Sequence, residues 1–394
     1  MEIKGKVHYV GVNDRNKHRF EGMWPLPYGV SYNSYLIDDE MVALVDTVDI
    51  CYFEVYLRKI KQVIGERPIN YLIINHMEPD HSGSIRLIKQ HYPEIIIVGN
   101  KQTFGMIEGF YGVTGEQYLV KEGDFLALGH HKLRFYMTPM VHWPETMMTF
   151  DETDGVLFSG DGFGCFGTVD GGFLDTRINV DKYWGEMVRY YSNIVGKYGS
   201  PVQKALQKLG GLPITTICST HGPVWTENIS RVIGIYDRLS RYDADEGVVI
   251  VYGSMYGNTE QMAEAIAAEL SAQGIRNIVM HNVTKSHPSY ILADIFRYKG
   301  LIVGSPTYSN QIFPEVESLL SKILVRELKG RYLGYFGSFT WAGAAVKRMA
   351  EFAEKSKFEL VGDPVEMKQA MQDITYTQCE NLARAMADRL KKDR

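Results

Sequence analysis

The pattern of apolar and polar positions changes near residue 246, and each side of that point predicts its own domain. Before it, short apolar runs are separated by glycine, proline and acidic turns, which is typical of a β-rich fold. After it, buried strands alternate regularly with amphipathic helices. A polar stretch without periodicity, residues 241–246, lies between the two patterns. We therefore predict two domains, residues 1–246 and 247–394.

The first half is predicted to be a mixed α+β domain. Strands are predicted at residues 32–37, 41–45, 69–74, 95–98, 125–128, 133–137, 155–159 and 214–218. Helical spacing of apolar residues predicts helices at 52–65, 85–91, 181–197 and 200–209.

The second half is predicted to be an α/β domain with a doubly wound parallel sheet. Strands are predicted at residues 247–252, 277–283, 301–304, 332–337 and 358–362. Helices are predicted between and after them, at 261–273, 288–298, 313–327, 343–355 and 375–391. Because crossovers between parallel strands are right-handed, we expect the strand order 2-1-3-4-5.

Composition limits the location and the partners of the chain. The formal net charge of -5 over 394 residues does not favour binding to nucleic acid or to an anionic membrane. No apolar run approaches the roughly 18 residues that would span a bilayer, and no apolar leader is present, so we expect a cytoplasmic protein. The four cysteines form no Cys-x-x-Cys pair, which argues against a disulfide framework, a structural zinc or a rubredoxin-type iron centre. We expect each of them to be a small core residue.

Candidate metal ligands stand just beyond several predicted strands of the first half. Because strand exits converge in the crevice of a sheet flanked by helices, we expect these side chains to meet. They comprise four imidazoles and three carboxylates, namely His76, Glu78, Asp80, His81, His142, Asp161 and His221. Seven ligands are too many for one four-coordinate zinc and suit two metals that share a bridging carboxylate.

Ordinary structural roles remain open for these residues individually. Asp80 could cap a helix that begins near Ser84, Asp161 could be a turn residue, and His142 and His221 could be loop histidines. The other seven histidines lack a partner at a strand exit, and we assign them to surface or core roles.

The strand exits of the second half predict a site for FMN. The first leads into small and hydroxyl residues, Ser254 to Thr259, ahead of a helix, a setting in which backbone N–H groups bind phosphate. No lysine follows the glycine, so this is not an ATP-binding P-loop. Two later exits carry aromatic residues, Tyr308 in 305–310 and Phe339 and Trp341 in 338–343, which suits a flat ring.

Both halves resemble known families. The ligand order of the first is similar to the metallo-β-lactamase fold, an αββα sandwich whose hydrolases carry His-x-His-x-Asp-His. Here Glu78 replaces the second histidine, and a harder carboxylate ligand favours iron over zinc. The glutamate variant resembles the flavodiiron protein family. The loop at Ser254 resembles the phosphate loop of flavodoxins, with Tyr256 at the middle threonine position.

The resemblance implies reduction of O2 to water, or of NO to nitrous oxide, at two non-haem irons. Electrons would come through FMN from an external donor, such as rubredoxin, another flavoprotein or a reduced deazaflavin. By motif position, His76, Glu78 and His142 would hold the iron nearer the flavin. Asp80, His81 and His221 would hold the outer iron. Asp161 would bridge the two.

The resemblance also implies the flavin contacts and an assembly. The FMN contacts would be Ser254, Met255, Gly257, Asn258, Thr259, Pro306, Thr307, Tyr308, Ser338, Phe339, Thr340, Trp341 and Ala342. Apart from the resemblance, Tyr190 and Tyr191 could donate protons beside the metals or serve only as packing residues, as most of the 25 tyrosines do. Glu21 stands near the position where relatives often carry a histidine. A head-to-tail homodimer, alone or as a dimer of dimers, is expected to bring each flavin to the partner's irons.

Two other functions remain open at this point. A dizinc hydrolase of the metallo-β-lactamase type, fused to a flavodoxin domain, would use the same ligand types. A flavodoxin-like electron carrier would use the first domain only as a scaffold. The choice between O2 and NO is also open.

Overall fold

The computed structural model describes residues 1–393 and consists of two compact units, Met1–Ser240 and a second unit that begins at Arg241. The strands of the first unit are β1 (Glu2–Lys4), β2 (Val7–Tyr9), β3 (Val12–Asp14), β4 (Arg19–Phe20), β5 (Trp24–Pro25), β6 (Val30–Tyr32), β7 (Tyr35–Ile37), β8 (Ala43–Val45), β9 (Tyr71–Ile73), β10 (Ile96–Gly99), β11 (Gln117–Leu119), β12 (Phe125–Ala127), β13 (Lys132–Met137), β14 (Met147–Asp151), β15 (Val156–Gly160) and β16 (Thr216–Ser219). Its α-helices are α1 (Phe53–Ile64), α2 (Pro79–Ser82), α3 (Ile85–His91), α4 (Lys101–Tyr111), α5 (Asp181–Tyr190), α6 (Gly199–Leu209) and α7 (Ile229–Ser240).

Two sheets share the core of the first unit. One has the order β1-β2-β7-β8-β9-β10-β11, and the other has the order β12-β13-β14-β15-β16. Buried side chains from both sheets form one cluster, which includes Tyr35 and Ile73 from the first sheet and Phe135 and Phe158 from the second. Strands β9, β15 and β16 each end just before predicted metal ligands.

Several elements differ from the sequence-based prediction. The predicted helix 181–197 ends at Tyr190 and continues as a π-helical turn, Tyr191–Val195, a distortion that often accompanies functional sites. Strand β14 and helix α4 were not predicted. The prediction that every cysteine is a core residue was wrong for Cys51, which is exposed, whereas the other three cysteines are buried and all four are free.

The second unit contains a mainly parallel sheet flanked by helices. Its strands are β17 (Asp245–Tyr252), β18 (Ile278–Asn282), β19 (Tyr298–Tyr308), β20 (Gln311–Ile312), β21 (Tyr332–Phe339), β22 (Glu359–Leu360) and β23 (Val365–Lys368). Its helices are α8 (Asn258–Ala272), α9 (Pro288–Arg297), α10 (Pro314–Val325), α11 (Ala345–Ser356) and α12 (Asp373–Lys391). Among the described residues, only the short strand β20 pairs antiparallel, with β19. The sheet order β18-β17-β19-β21-β22 confirms the predicted order 2-1-3-4-5.

Two details of this sheet bear on the flavin prediction. The predicted fifth strand is divided into β22 and β23, which both pair with β21 in parallel. Helix α8 begins at Asn258 rather than at residue 261, so Asn258 and Thr259 belong to its first turn. Within residues 1–393, no helix is both long and apolar enough to cross a bilayer.

Candidate metal centre and flavin site

The seven predicted metal ligands lie together in two neighbouring groups. In the first group, the Nε2 atom of His142 lies 3.1 Å from Glu78 Oε2 and 3.0 Å from Asp161 Oδ2. The Nε2 atom of His76 lies 3.4 Å from the same nitrogen of His142 and 3.6 Å from Asp161 Oδ2. Two nitrogens and two carboxylates therefore converge on one small space.

The second group contains the remaining ligands. The Nε2 atom of His81 lies 3.4 Å from Asp80 Oδ1, and that of His221 lies 3.3 Å from Asp80 Oδ2. Both nitrogens also face Asp161 Oδ1, at 3.1 Å and 3.6 Å respectively. Each oxygen of Asp161 thus faces a different group, which is the arrangement that a bridging carboxylate requires.

Unpaired buried atoms in the second group fit a cation. Both carboxylate oxygens of Asp80 and the Nε2 atoms of His81 and His221 make no hydrogen bond to any residue of the described range, 1–393. Buried polar atoms in proteins almost always have partners, so such a cluster is costly unless a ligand satisfies it. Imidazole nitrogen and carboxylate oxygen are suitable donors for iron, zinc or manganese. The residues present therefore fit a two-metal site.

The charges in the site also favour cations. Burial alone lowers the pKa of His81, but the carboxylates of Asp80 and Asp161 outweigh burial and raise that pKa to about 10. Burial raises the pKa of Asp161, yet His81 and His76 outweigh it and hold the pKa well below its ordinary value. Three carboxylates thus stabilise positive charge in this space, and metal ions can supply it in place of protons.

Hydrogen bonds outside the ligand set fix the orientation of the ligands. Glu145 Oε1 lies 2.7 Å from Nδ1 of His76 and accepts a second hydrogen bond from the Met77 backbone N–H at 2.8 Å. His221 Nδ1 donates to the carbonyl oxygen of Ser31 at 2.7 Å. These partners keep Nε2 of His76 and of His221 facing the site, as metal-bound histidines require.

A further carboxylate and a hydroxyl support the loops. Asp46 Oδ1 accepts hydrogen bonds from the backbone N–H groups of Asn75 and His76, at 2.8 Å and 3.4 Å. Thr220 Oγ1 donates to Asp161 Oδ1 at 2.5 Å and so holds the shared carboxylate in place. The sequence analysis missed Asp46, although Asp46 also follows a buried strand, β8, and the strand-exit rule would have found it.

Aromatic side chains surround the polar cluster. The ring of Trp143 stands edge-on to His76 at 5.2 Å between centroids, and the ring of Phe20 stands edge-on to His221 at 5.4 Å. Tyr190 is fully buried with its ring 5.8 Å from His221, whereas Tyr191 packs against Tyr236. These aromatic rings exclude water from the polar cluster. The hydroxyl of Tyr190 makes no hydrogen bond to any residue among 1–393.

The alternative role of Asp80 as a helix cap is not supported by its position. Asp80 lies inside the short helix α2, and Ser84 rather than Asp80 precedes helix α3. A different histidine, His131, also lies near carboxylates, but Nδ1 pairs with Asp39 at 2.7 Å and Nε2 with the Gly5 carbonyl at 2.6 Å. His131 is therefore a buried histidine with partners for both ring nitrogens; surface or core roles were predicted for it and for the other six non-ligand histidines.

The predicted flavin contacts largely line one pocket in the second unit. The pocket residues are Ser254, Met255, Tyr256, Asn258, Thr259, Pro306, Thr307, Ser338, Phe339, Thr340 and Gln369. The first turn of helix α8 lies at this pocket, so its free N–H groups can bind a phosphate. Gly257, at φ 90°, provides the left-handed turn into that helix.

Four predicted flavin contacts, Gly257, Tyr308, Trp341 and Ala342, do not line this pocket directly. Trp341 is 85% exposed and Tyr308 is 48% exposed. Exposed aromatic rings next to a pocket of this kind can stack on a flat ligand. The sequence analysis missed Tyr256 and Gln369 as pocket residues.

Comparisons with known proteins agree with this two-part arrangement. Residues 30–222 match the family described as ODP family beta lactamase, and residues 250–381 match the flavodoxin family. The anaerobic nitric oxide reductase flavorubredoxin of Vibrio vulnificus is 33% identical over 370 residues, which cover 91% of this chain and 74% of that protein. The chain belongs to the flavodiiron protein family.

Solved structures of flavodiiron proteins have the same fold. The rubredoxin oxygen:oxidoreductase of Desulfovibrio gigas superimposes with a TM-score of 0.95 at 31% identity, over 100% of this chain and 98% of that one. The flavodiiron protein of Giardia intestinalis gives a TM-score of 0.93 at 27% identity, with the same coverage of both chains.

The family assignment confirms several predictions. The metallo-β-lactamase-like domain followed by a flavodoxin-like domain, the oxidoreductase class and the dependence on FMN and iron are confirmed. A flavodiiron protein is neither a dizinc hydrolase nor a simple electron carrier, so the two alternative functions are not supported.

Proposed function

We propose that this flavodiiron protein reduces O2 to water or NO to nitrous oxide at two irons bound by residues 1–246, with FMN bound by residues 247–394. The names of its relatives include an oxygen oxidoreductase and a nitric oxide reductase, which supports both substrates. When bound, FMN and the two irons together supply the electrons that the gas accepts.

The position of Asp161 carries this proposal. Its two oxygens face different ligand groups, and such a carboxylate can hold two metals side by side. His76, Glu78 and His142 would hold one iron. Asp80, His81 and His221 would hold the other.

The side chains around the ligands have separate tasks in this proposal. Glu145 holds the imidazole of His76 in the orientation that exposes Nε2. Trp143 and Phe20 exclude water, so that the gas meets few competing ligands. Burial raises the pKa of the Tyr190 hydroxyl well above its ordinary value, so Tyr190 would keep its proton and donate a hydrogen bond toward the metal site.

FMN would bind with its phosphate at the first turn of helix α8. The hydroxyls of Thr259 and Ser338, 2.8 Å apart, face the same pocket and can turn toward the ligand. Tyr308 and Trp341 would contact the flavin ring with their exposed faces.

We also propose the surroundings in which this site works. The electron donor would be a rubredoxin, another flavoprotein or a reduced deazaflavin. The two sites belong to separate compact units, which supports a head-to-tail homodimer, or a dimer of such dimers, in which each flavin meets the partner's irons. The expected location is the cytoplasm.

Anaerobic reconstitution with ferrous iron and FMN tests the proposal. We expect two irons and one FMN per chain, and consumption of O2 or NO by the reduced protein. The Asp161→Asn variant should bind less iron and consume neither gas at the wild-type rate. A single metal per chain, or gas consumption that survives this substitution unchanged, would contradict the two-iron site.

A further inference from the structure

A second cluster of an imidazole and carboxylates lies in the first unit, away from the metal centre. His131 belongs to the turn between β12 and β13, Asp151 ends β14, and Asp154 lies in the turn that leads into β15. One ring nitrogen of His131 and one oxygen of each carboxylate lie within 4.8 Å of one another. Strand β15 begins just after this cluster and ends just before Asp161. Its 5 residues span about 17 Å, so the two clusters are separate sites.

The ring of His131 is oriented in the way that metal-bound histidines are. Its Nδ1 lies 2.7 Å from Asp39 Oδ2, just as Nδ1 of His76 lies 2.7 Å from Glu145 Oε1 in the metal centre. Asp39 Oδ2 also accepts a hydrogen bond from the backbone N–H of His131 at 2.7 Å, which fixes the carboxylate. A carboxylate on one ring nitrogen leaves the other nitrogen to bind a metal.

The other ring nitrogen of His131, Nε2, faces two oxygen atoms. The carbonyl oxygen of Gly5 lies at 2.6 Å and Oδ2 of Asp154 at 3.3 Å. With the ring proton on Nδ1, all three atoms carry lone pairs, so this contact requires a second proton or a cation. Burial lowers the pKa of His131, but the hydrogen bond to Asp39 outweighs burial and raises that pKa. A proton therefore meets the need when no metal is bound.

Two carboxylate oxygens of the cluster make no hydrogen bond. Asp151 is fully buried, and its Oδ1 accepts the Thr153 backbone N–H at 3.0 Å, whereas its Oδ2 bonds to no residue of the range 1–393. The same is true of Asp154 Oδ2. Buried charges in proteins are normally paired or bind metal ions, because an unpaired one is costly. Asp80 in the metal centre shows the same features, unbonded buried oxygens and an imidazole nitrogen at 3.3 Å.

Negative charge exceeds positive charge in this cluster. The carboxylates of Asp39, Asp151 and Asp154 surround one imidazole, which pairs with the first and the last of them. Within residues 1–393, no lysine or arginine forms an ion pair with any of these three carboxylates. Even a protonated His131 offsets only one of the three charges. A divalent cation offsets two and satisfies the unbonded oxygens as well.

Gly5 allows the backbone to approach this cluster closely. Its φ of 52° lies in the left-handed region, and a Cβ at this position would collide with the carboxylate of Asp154. Glycine therefore lets a backbone carbonyl and the carboxylate reach His131 together. The turn between β1 and β2 thus adds a fourth donor atom to the cluster.

We propose that this cluster binds one zinc ion. Its ligands would be Nε2 of His131, Oδ2 of Asp151, Oδ2 of Asp154 and the carbonyl oxygen of Gly5, and four ligands are the usual number in a structural zinc site. Imidazole beside carboxylate favours zinc over Mg²⁺ and Ca²⁺, which prefer oxygen ligands alone. Zinc takes the place of the second proton on His131, and that proton goes to solvent. The site is independent of gas reduction.

The zinc would join turns from both sheets of the first unit. Gly5 and Asp39 belong to the turns β1–β2 and β7–β8 of one sheet, whereas His131 and Asp154 belong to the turns β12–β13 and β14–β15 of the other. These turns come together only in the folded chain. Zinc at this site therefore stabilises the packing of the two sheets at the end remote from the metal centre.

Competition titration of the metal-free full chain with zinc and a chelator counts the sites. The wild type should bind three zinc ions, two in the metal centre and one here, and keep all three in a large excess of magnesium. Loss of a partner behind a ligand already costs up to about 100-fold in affinity, so Asp154→Asn, which removes a ligand, should weaken the third ion by at least that factor. Asp161→Asn should lose zinc from the metal centre and keep this ion.

Asp38→Asn is the matched control. Asp38 precedes Asp39 in the same turn and pairs with Arg67, and its side chain is 26% exposed against 21% for Asp154. The substitution removes the same charge from a similar environment without removing a proposed ligand. Asp38→Asn should therefore bind the third zinc as the wild type does.

Nitrogen-15 labelling of histidine gives a readout that needs neither turnover nor a stable ligand variant. The ring signals of His131 are assigned by their absence in His131→Gln. On addition of zinc to the wild type, Nε2 of His131 should change from a protonated to a metal-bound nitrogen. In Asp154→Asn the same nitrogen should stay protonated at the zinc concentration that converts the wild type.

The outcomes separate this proposal from the proposed function. A wild type that binds no third zinc, or loses it to magnesium, overturns the proposal and leaves the metal centre untouched. A third zinc bound equally well by Asp154→Asn overturns it too, as does a His131 Nε2 that stays protonated in saturating zinc. A wild type that binds zinc here but holds no pair of metals in the metal centre contradicts only the proposed function.

Discussion

Replacing Glu145 with glutamine is expected to weaken one of the two metal sites and to leave the other intact. Glu145 is fully buried, and its Oε1 pairs with Nδ1 of His76 and with the Met77 N–H. Glutamine keeps an oxygen in the same place but removes the charge that strengthens the His76 contact. Loss of such a support typically costs about 10- to 100-fold in metal affinity, which corresponds to about 1.4–2.7 kcal/mol.

Competition titration of the metal-free chain with zinc and a chelator measures this effect directly. We expect the dissociation constant of the metal bound through His76 to rise by that factor. The dissociation constant of the metal bound through Asp80 and His221 should change by no more than about twofold. Glu152→Gln is the matched control, because it removes the same charge from a half-buried glutamate that pairs with Arg134. Two unchanged dissociation constants, or an equal loss in both steps, would refute the assignment of Glu145 to one site.

Three further predictions concern other parts of the chain. Thr259→Val removes a buried hydroxyl at the proposed phosphate site and should weaken FMN binding by about 1 kcal/mol, measured by flavin fluorescence quenching; unchanged affinity would contradict the site. Burial lowers the pKa of His131, but the hydrogen bond to Asp39 outweighs burial and raises that pKa. The charged imidazole therefore stabilises the folded state fully below the unfolded pKa of about 6.5, and this contribution is lost as the pH rises through the folded pKa. The stability difference between the wild type and His131→Asn in urea unfolding should therefore shrink from about pH 6 to about pH 9, and a growing difference would contradict this. Gly304→Ala places a Cβ against the ring of Phe336 and should destabilise the flavodoxin-like unit by about 1–3 kcal/mol in urea unfolding. An equally stable variant would show that the ring can move aside.

The sequence by itself determined the strands that lead into the site and the chemistry of the site. Buried strands are encoded locally by short apolar runs, and the residue types that follow them are read without knowledge of the fold. His76, Asp161 and His221 could be selected because each follows such a run, and Glu78 indicated iron rather than zinc. The order of the parallel sheet also followed from the chain, because crossover handedness leaves few topologies.

Only the tertiary structure decided which atoms meet. His76 and Glu145 are 69 positions apart, and nothing local to either residue predicts that they pair. The division of the two oxygens of Asp161 between the ligand groups depends on how the two sheets pack, because β9 lies in one sheet and β15 in the other. The end of helix α5 at Tyr190 and the π-helical turn that follows it likewise depend on tertiary context, which can override a helical sequence pattern.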